Sequence, residues 1–294
     1  MAHSATMPSP AAGLLFAAGS ALCLSILTTA AAFAYKGGSD PVTVIAVRAM
    51  AGLLGSGLLV MLFRVPVKLL PGIVPLMAVM CSGQLMINFG YLTSVLYIPV
   101  SLAALIFYIF PVLVLVVEAV QQRRRPALTE LIIFIAAFAG LALALGPSFE
   151  GLDWRGLLGA LIAALGGVLL MLAGNRVTHV AGTLRPFFHS QIVAFVITTA
   201  VMLVFGGPNL PETDSGWWGL GVACAGYVAG VGLQFAAIKL AEPATASLVY
   251  NLEPLATLLI AAWLLAERLS LVQYSGGALV LVAIVIASQR AVRR

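Results

Sequence analysis

The 294 residues predict an all-α integral membrane protein whose ten transmembrane helices form two inverted five-helix repeats. Three observations carry this expectation: the composition, ten charge-poor windows of membrane-spanning length, and a match of the chain to itself at one fixed shift.

The chain is 62% hydrophobic and 9% charged, with a mean hydropathy of +1.11. A soluble globular domain carries roughly 25% charged residues, so a water-soluble fold is excluded. The net charge of +5 and the pI near 9.4 could point to nucleic acid. The basic residues, however, sit in short connections between apolar runs rather than on one face, so no nucleic-acid partner is expected. Cys23, Cys81 and Cys224 lie inside apolar runs without CxxC spacing and read as small buried hydrophobes. The start, MAHSATMPSPAAG, has no Lys or Arg, and the run from Leu14 to Tyr35 approaches spanning length. Both features favour a retained span over a cleaved leader.

Windows of about 20 residues place the spans in order. Span 1 covers about 14–35 and span 2 about 42–63, the latter containing Arg48. The stretch from Leu69 to Val117 is free of charge throughout, too long for one crossing. A break around Thr93 to Pro99 gives span 3 at about 71–92 and span 4 at about 97–120. Span 5 covers about 127–146, span 6 about 156–175, span 7 about 186–206, span 8 about 216–238, span 9 about 243–265 and span 10 about 270–289. The first repeat is thus 1–146, the connection 147–155 and the second repeat 156–294.

Lys and Arg divide eleven to three between the two sets of connections, with Arg48 left inside span 2. By the positive-inside rule both termini are cytoplasmic, and Trp154, Trp217 and Trp218 fall at the outer headgroup level. Sliding the chain along itself puts Pro111 on Pro254, and the same shift puts Gly83 on Gly226, Cys81 on Cys224, and Gly13-Leu14-Leu15 on Gly156-Leu157-Leu158. Spans 4 and 9 align without a gap, AALIFYIFP (Ala103 to Pro111) over ASLVYNLEP (Ala246 to Pro254). Five spans per repeat is an odd number, so the second repeat enters from the opposite side. Inverted repeats of this kind put a solute site near the midplane between the halves.

Polar residues inside the spans are the candidate site. Span 9 carries Asn251, Glu253 and Pro254 near its middle. An acidic group at that depth costs at least about 2.5 kcal/mol unless a cavity, partner or pathway receives it. A proline there frees a backbone carbonyl and bends the helix, so bends are expected at Pro111 and Pro254. Span 3 sets Gln84, Asn88 and Tyr91 on one helical face, and the shifted positions Tyr227, Val231 and Gln234 share a face of span 8. Two such stripes read either as opposite walls of a cavity or as interhelical hydrogen-bonding glue. Tyr108 and Asn251 each precede a paired proline by three residues. Glu253 lies two positions from Asn251, about 200° round a regular helix, beside Tyr250 and Thr257. It reads as a counter-ion for an amino group, as a proton carrier, or as the partner of Arg48. Arg48 itself either reaches that partner or snorkels outward. His189 and Gln191 rank below these, His189 as an interfacial group near the cytoplasmic end, and Glu118 reads as balance for Arg123 to Arg125. No phosphate loop and no metal-ligand spacing of the three histidines occurs, so neither cofactor nor metal is expected.

The five-plus-five duplication, the short positive connection after span 4, the LEP segment of span 9 and the Ala266 to Ser270 ending AERLS together resemble the drug/metabolite transporter superfamily, EamA type. The likeness spans the chain, although Glu267 aligns with Arg124, so the first repeat lacks the acidic ending. The resemblance implies a secondary transporter, with export ahead of import, of a small polar or amphipathic metabolite such as an amino acid. It implies alternating access in the cytoplasmic (inner) membrane, and a pathway lined by spans 1, 3, 4, 6, 8 and 9. The expected partners are a small-molecule substrate and the lipid bilayer, with a homodimer as the assembly to test. A lipid-acting membrane enzyme and a non-transporting structural membrane protein are the alternatives; no enzyme is expected.

Overall fold

The computed structural model describes residues 10–149, 151–265 and 268–293. All regular structure among them is helical: α1 (Pro10–Lys36), α2 (Pro41–Leu62), a 3-10 turn (Pro71–Ile73), α3 (Val74–Tyr97), α4 (Val100–Phe107), α5 (Phe110–Gln121), α6 (Leu128–Leu145), α7 (Trp154–Ala181), α8 (Leu184–Val204), α9 (Asp214–Leu240), α10 (Pro243–Val249), α11 (Leu252–Leu265) and α12 (Leu271–Arg293). They make ten membrane spans, because α4 with α5 forms span 4 and α10 with α11 forms span 9. Span 6 is longer than its charge-free window, starting at Trp154 and ending at Ala181, and span 3 runs on to Tyr97. In span 6 the helix continues past the charge-free window to take in Arg155 and Arg176, whereas in span 3 it continues within the charge-free stretch. Met1 to Ser9, with His3, and Ala266 and Glu267 lie outside the described residues.

Helix starts follow capping chemistry. Asp40 accepts from the N–H groups of Val42 and Thr43 at 2.8 and 2.9 Å and from the Thr43 hydroxyl. Hydrogen bonds from Thr43 and Val42 outweigh its partial burial and hold its carboxyl below the usual range. Thr213 caps α9 through the Gly216 N–H. Gly146, at φ 50°, supplies the left-handed residue that ends α6.

The two repeats are interleaved. α1 packs along α9 and α3 along α7, which are equivalent pairs under the shift that carries Pro111 onto Pro254. The close approaches obey the same symmetry. A Cβ on Gly83 would lie 2.7 Å from the Gly166 carbonyl oxygen, and one on Gly226 would lie 2.9 Å from that of Cys23. Gly13 abuts Leu240 and Ala241, as Gly156 abuts Tyr97 and Ile98. In lipid, where apolar side chains gain nothing by meeting each other, such small-residue approaches are what hold helices together. α2 packs on α8, and α6 on α12.

With ten spans, α1 begins and α12 ends on one face, called here the terminal face. Spans 4 and 9 meet asymmetrically. Their halves on the terminal face, α5 and α10, pack together, whereas α4 packs on α7 and α11 on α1 at the opposite face. Trp154, Trp217 and Trp218 are all exposed at that opposite face, at helix starts where a headgroup belt would lie.

Candidate functional site at the broken spans

Spans 4 and 9 break at Tyr108–Ile109 and Tyr250–Asn251. The expected bends at Pro111 and Pro254 therefore fall a few residues earlier, and each proline sits in the first turn of the following half-helix. That position suits a residue with no N–H to offer, and it moves the interruption to the carbonyls the proline cannot serve. The Glu253 N–H closes onto the Tyr250 carbonyl at 2.9 Å, and the Asn251 N–H onto that of Leu248 at 3.1 Å. The interruption also re-aims side chains. Glu253 belongs to α11 and Asn251 to the break, so the angular offset expected of a regular helix does not apply.

Around the breaks the structure collects polar groups from both repeats. Arg48 of α2 turns inward: its Nη2 donates to Asn88 Oδ1 of α3 at 2.9 Å. Its guanidinium lies 5.3 Å from the centre of the Tyr227 ring of α9. Outward snorkelling is thereby overturned. Gln191 of α8 is fully buried against Tyr227, and Gly52 of α2 leaves room for both. Glu253 faces the Tyr108 hydroxyl and lies within electrostatic reach of Arg48, Tyr91 and Tyr250. It is not ion-paired with Arg48. The ion pairs between described residues are Arg124–Glu130 and Arg155–Asp153, both distant from the breaks. Hence the first repeat presents a guanidinium and the second a carboxyl group to one cluster, and the two are not in contact.

Phe107 joins the cluster's aromatic side. Its ring centre is 5.8 Å from that of Tyr91, 4.9 Å from Tyr108 and 5.2 Å from Phe110. Gln84 Oε1 and Asn251 Oδ1 are among the buried polar atoms without a hydrogen-bond partner. An unpaired buried polar group costs about 1–3 kcal/mol, so such atoms mark a place where a fold tolerates strain for a purpose.

A family model for the EamA-like transporter family matches residues 11–146 and 154–289. The chain belongs to the EamA-like transporter family. Members of that family are membrane transporters of the drug/metabolite type, which accords with ten apolar spans in two inverted repeats. A crystal structure 18% identical in sequence superposes with a TM-score of 0.82, covering 97% of this chain and 99% of the other. At that identity the likeness speaks for the fold alone. No curated protein matches the sequence.

Of the residues singled out in the sequence of this EamA-like chain, Arg48, Asn88, Tyr91, Tyr108, Tyr227 and Glu253 come together. Gln84 and Asn251 are buried beside the same elements, whereas Gln234 is half-buried and joins the cluster through no hydrogen bond. Gln191, ranked low in the sequence, is buried against Tyr227; its position inside span 7 was the available signal. His189 bonds only the Arg185 carbonyl of its own helix. Glu118 does more than balance the arginine cluster: Arg124 lies within its electrostatic reach but makes its contact ion pair with Glu130, and Glu118 is buried at 6% exposure with an oxygen on the Ala244 N–H of α10.

Proposed function

We propose that the protein is a secondary transporter that moves a small polar or amphipathic metabolite, with a zwitterion such as an amino acid as the preferred class, out across the cytoplasmic membrane. One observation carries the reading: Arg48 and Glu253 arrive from opposite repeats at the same polar cluster without forming an ion pair. A buried charge without a contacting counter-charge is expensive, and a solute bearing both signs offsets both costs at once. The aromatic side formed by Tyr91, Phe107 and Tyr108 suits an apolar portion of the same solute.

Both termini lie in the cytoplasm on the positive-inside count, so the terminal face is the inner one. The observed packing, closed between α5 and α10 and separated between α4 and α11, then corresponds to access from outside. Alternating access exchanges these arrangements between the repeats, with the breaks before Pro111 and Pro254 as hinges.

Purified protein in liposomes loaded with an unlabelled neutral amino acid tests the reading by counterflow of the labelled compound. Its deaminated acid and its amide serve as single-charge comparators. Saturable exchange with the zwitterion favoured is the expected result. Exchange of one single-charge comparator in preference, or of none of the three, refutes the substrate class.

A further inference from the structure

Glu118 is the buried carboxylate that the central cluster leaves unused. It stands on α5, in the first repeat, and contacts α10, in the second. Its Oε2 accepts the Ala244 N–H at 2.9 Å and its Oε1 the Gln122 Nε2 at 3.3 Å. α10 has particular need of such an acceptor. Its N-cap residue, Glu242, makes no side-chain cap, and Pro243 has no N–H, so Ala244 carries the first free donor of the half-helix. That donor is satisfied from across the repeat interface.

The bond lies between the two half-helices that close the terminal face. Beside it a polar pocket of about 190 Å³ is lined by Glu118, Gln121, Gln122, Asn175, Arg176 and Pro243. Parting α5 from α10 would therefore deliver both the carboxylate and the N–H to a polar space where they can be solvated. This removes most of the penalty that an orphaned buried charge would otherwise impose. The contact is strong when closed and cheap to release. The shift that relates the repeats maps Glu118 onto Ala261 and Ala244 onto Ser101, so the opposite face has no matching carboxylate. There the corresponding halves, α4 and α11, stay on separate neighbours.

We propose that Glu118 is a one-sided latch: a positioning residue that acts through the Ala244 N–H to hold the terminal face shut and biases the resting protein toward opening at the other face. The proposal rests on the alternating-access reading, but it is read without any solute. In a background with Cys23, Cys81 and Cys224 replaced by alanine, Leu248→Cys reports access from the terminal face and Ala261→Cys access from the opposite face. A membrane-impermeant maleimide is applied to vesicles of each orientation.

Glu118→Ala should raise labelling at position 248 roughly tenfold or more, the equivalent of losing one hydrogen bond to a charged group, and lower it at 261. Glu118→Gln, which keeps an acceptor but not the charge, should restore part of the original pattern. Labelling unchanged at both positions, or raised at both together as in a loosened fold, overturns the latch. Because labelling needs no transported compound, a failed counterflow assay beside a positive labelling result would refute the substrate reading and leave the latch standing.

Discussion

Asn88→Ala is the most informative single change, because Asn88 accepts the hydrogen bond of Arg48 while Glu253 lies within electrostatic reach but out of contact. The hydrogen bond from Arg48 Nη2 to Asn88 Oδ1, at 2.9 Å, has a charged donor inside the spans. Such a bond is worth about 1.5–3 kcal/mol. Without it the guanidinium keeps only the Tyr227 ring and is free to swing to the nearby Glu253 carboxylate. A solute would then have to break an ion pair before binding. If the whole bond energy is lost from substrate binding, KM in the counterflow assay rises about 10- to 150-fold, taking about 1.4 kcal/mol as tenfold. Maximal rate should change less, since the hinges are untouched. Asn88→Asp is the complementary change: a carboxylate beside Arg48 engages it directly and should weaken a zwitterion's binding at least as much. Thermal unfolding of the detergent-solubilised variants separates these effects from misfolding. An Asn88→Ala protein that folds normally and keeps its KM would refute the idea that Arg48 is held open for substrate.

Asn251→Ala and Glu253→Ala should each abolish counterflow while leaving membrane expression unchanged, checked by immunoblot of the same vesicles; full activity in both would remove them from the site. Gly83→Ala places a methyl 2.7 Å from the Gly166 carbonyl oxygen and 2.8 Å from the Leu170 nitrogen, so α3 and α7 must separate, lowering stability by about 1–3 kcal/mol in a denaturation series. Gly72→Ala, with nothing within 4 Å, serves as its neutral control. Asp40→Ala removes the cap of α2 and should cost about 1 kcal/mol. Because the folded pKa of Asp40 is lowered, its contribution is present above the ordinary carboxylate pKa and disappears as pH falls through the folded value. The stability gap between wild type and Asp40→Ala should therefore close in acid, and a gap that stays constant from neutral pH to well below the carboxylate range would contradict the capping role.

Hydropathy, charge asymmetry and the match of the chain to itself determined the number of spans, their order and their inversion, because these depend on backbone satisfaction in lipid and on periodic burial, both local properties. The same pattern put Asn88, Tyr227 and Glu253 on the candidate list. Their mutual arrangement was not legible. One-dimensional spacing assumes a regular helix, and the breaks at Tyr108–Ile109 and Tyr250–Asn251 rotate everything after them. The partners of Arg48 come from α3 and α9 and the acceptor for Ala244 comes from α5, contacts across 40 and 126 residues of chain that no local window connects. Only the packing of one repeat into the other decided that Arg48 would bond Asn88 rather than Glu253, and that Glu118 would accept a hydrogen bond from the start of a half-helix. A buried polar group takes the partner that tertiary structure brings within about 3 Å, whatever lies near it in sequence.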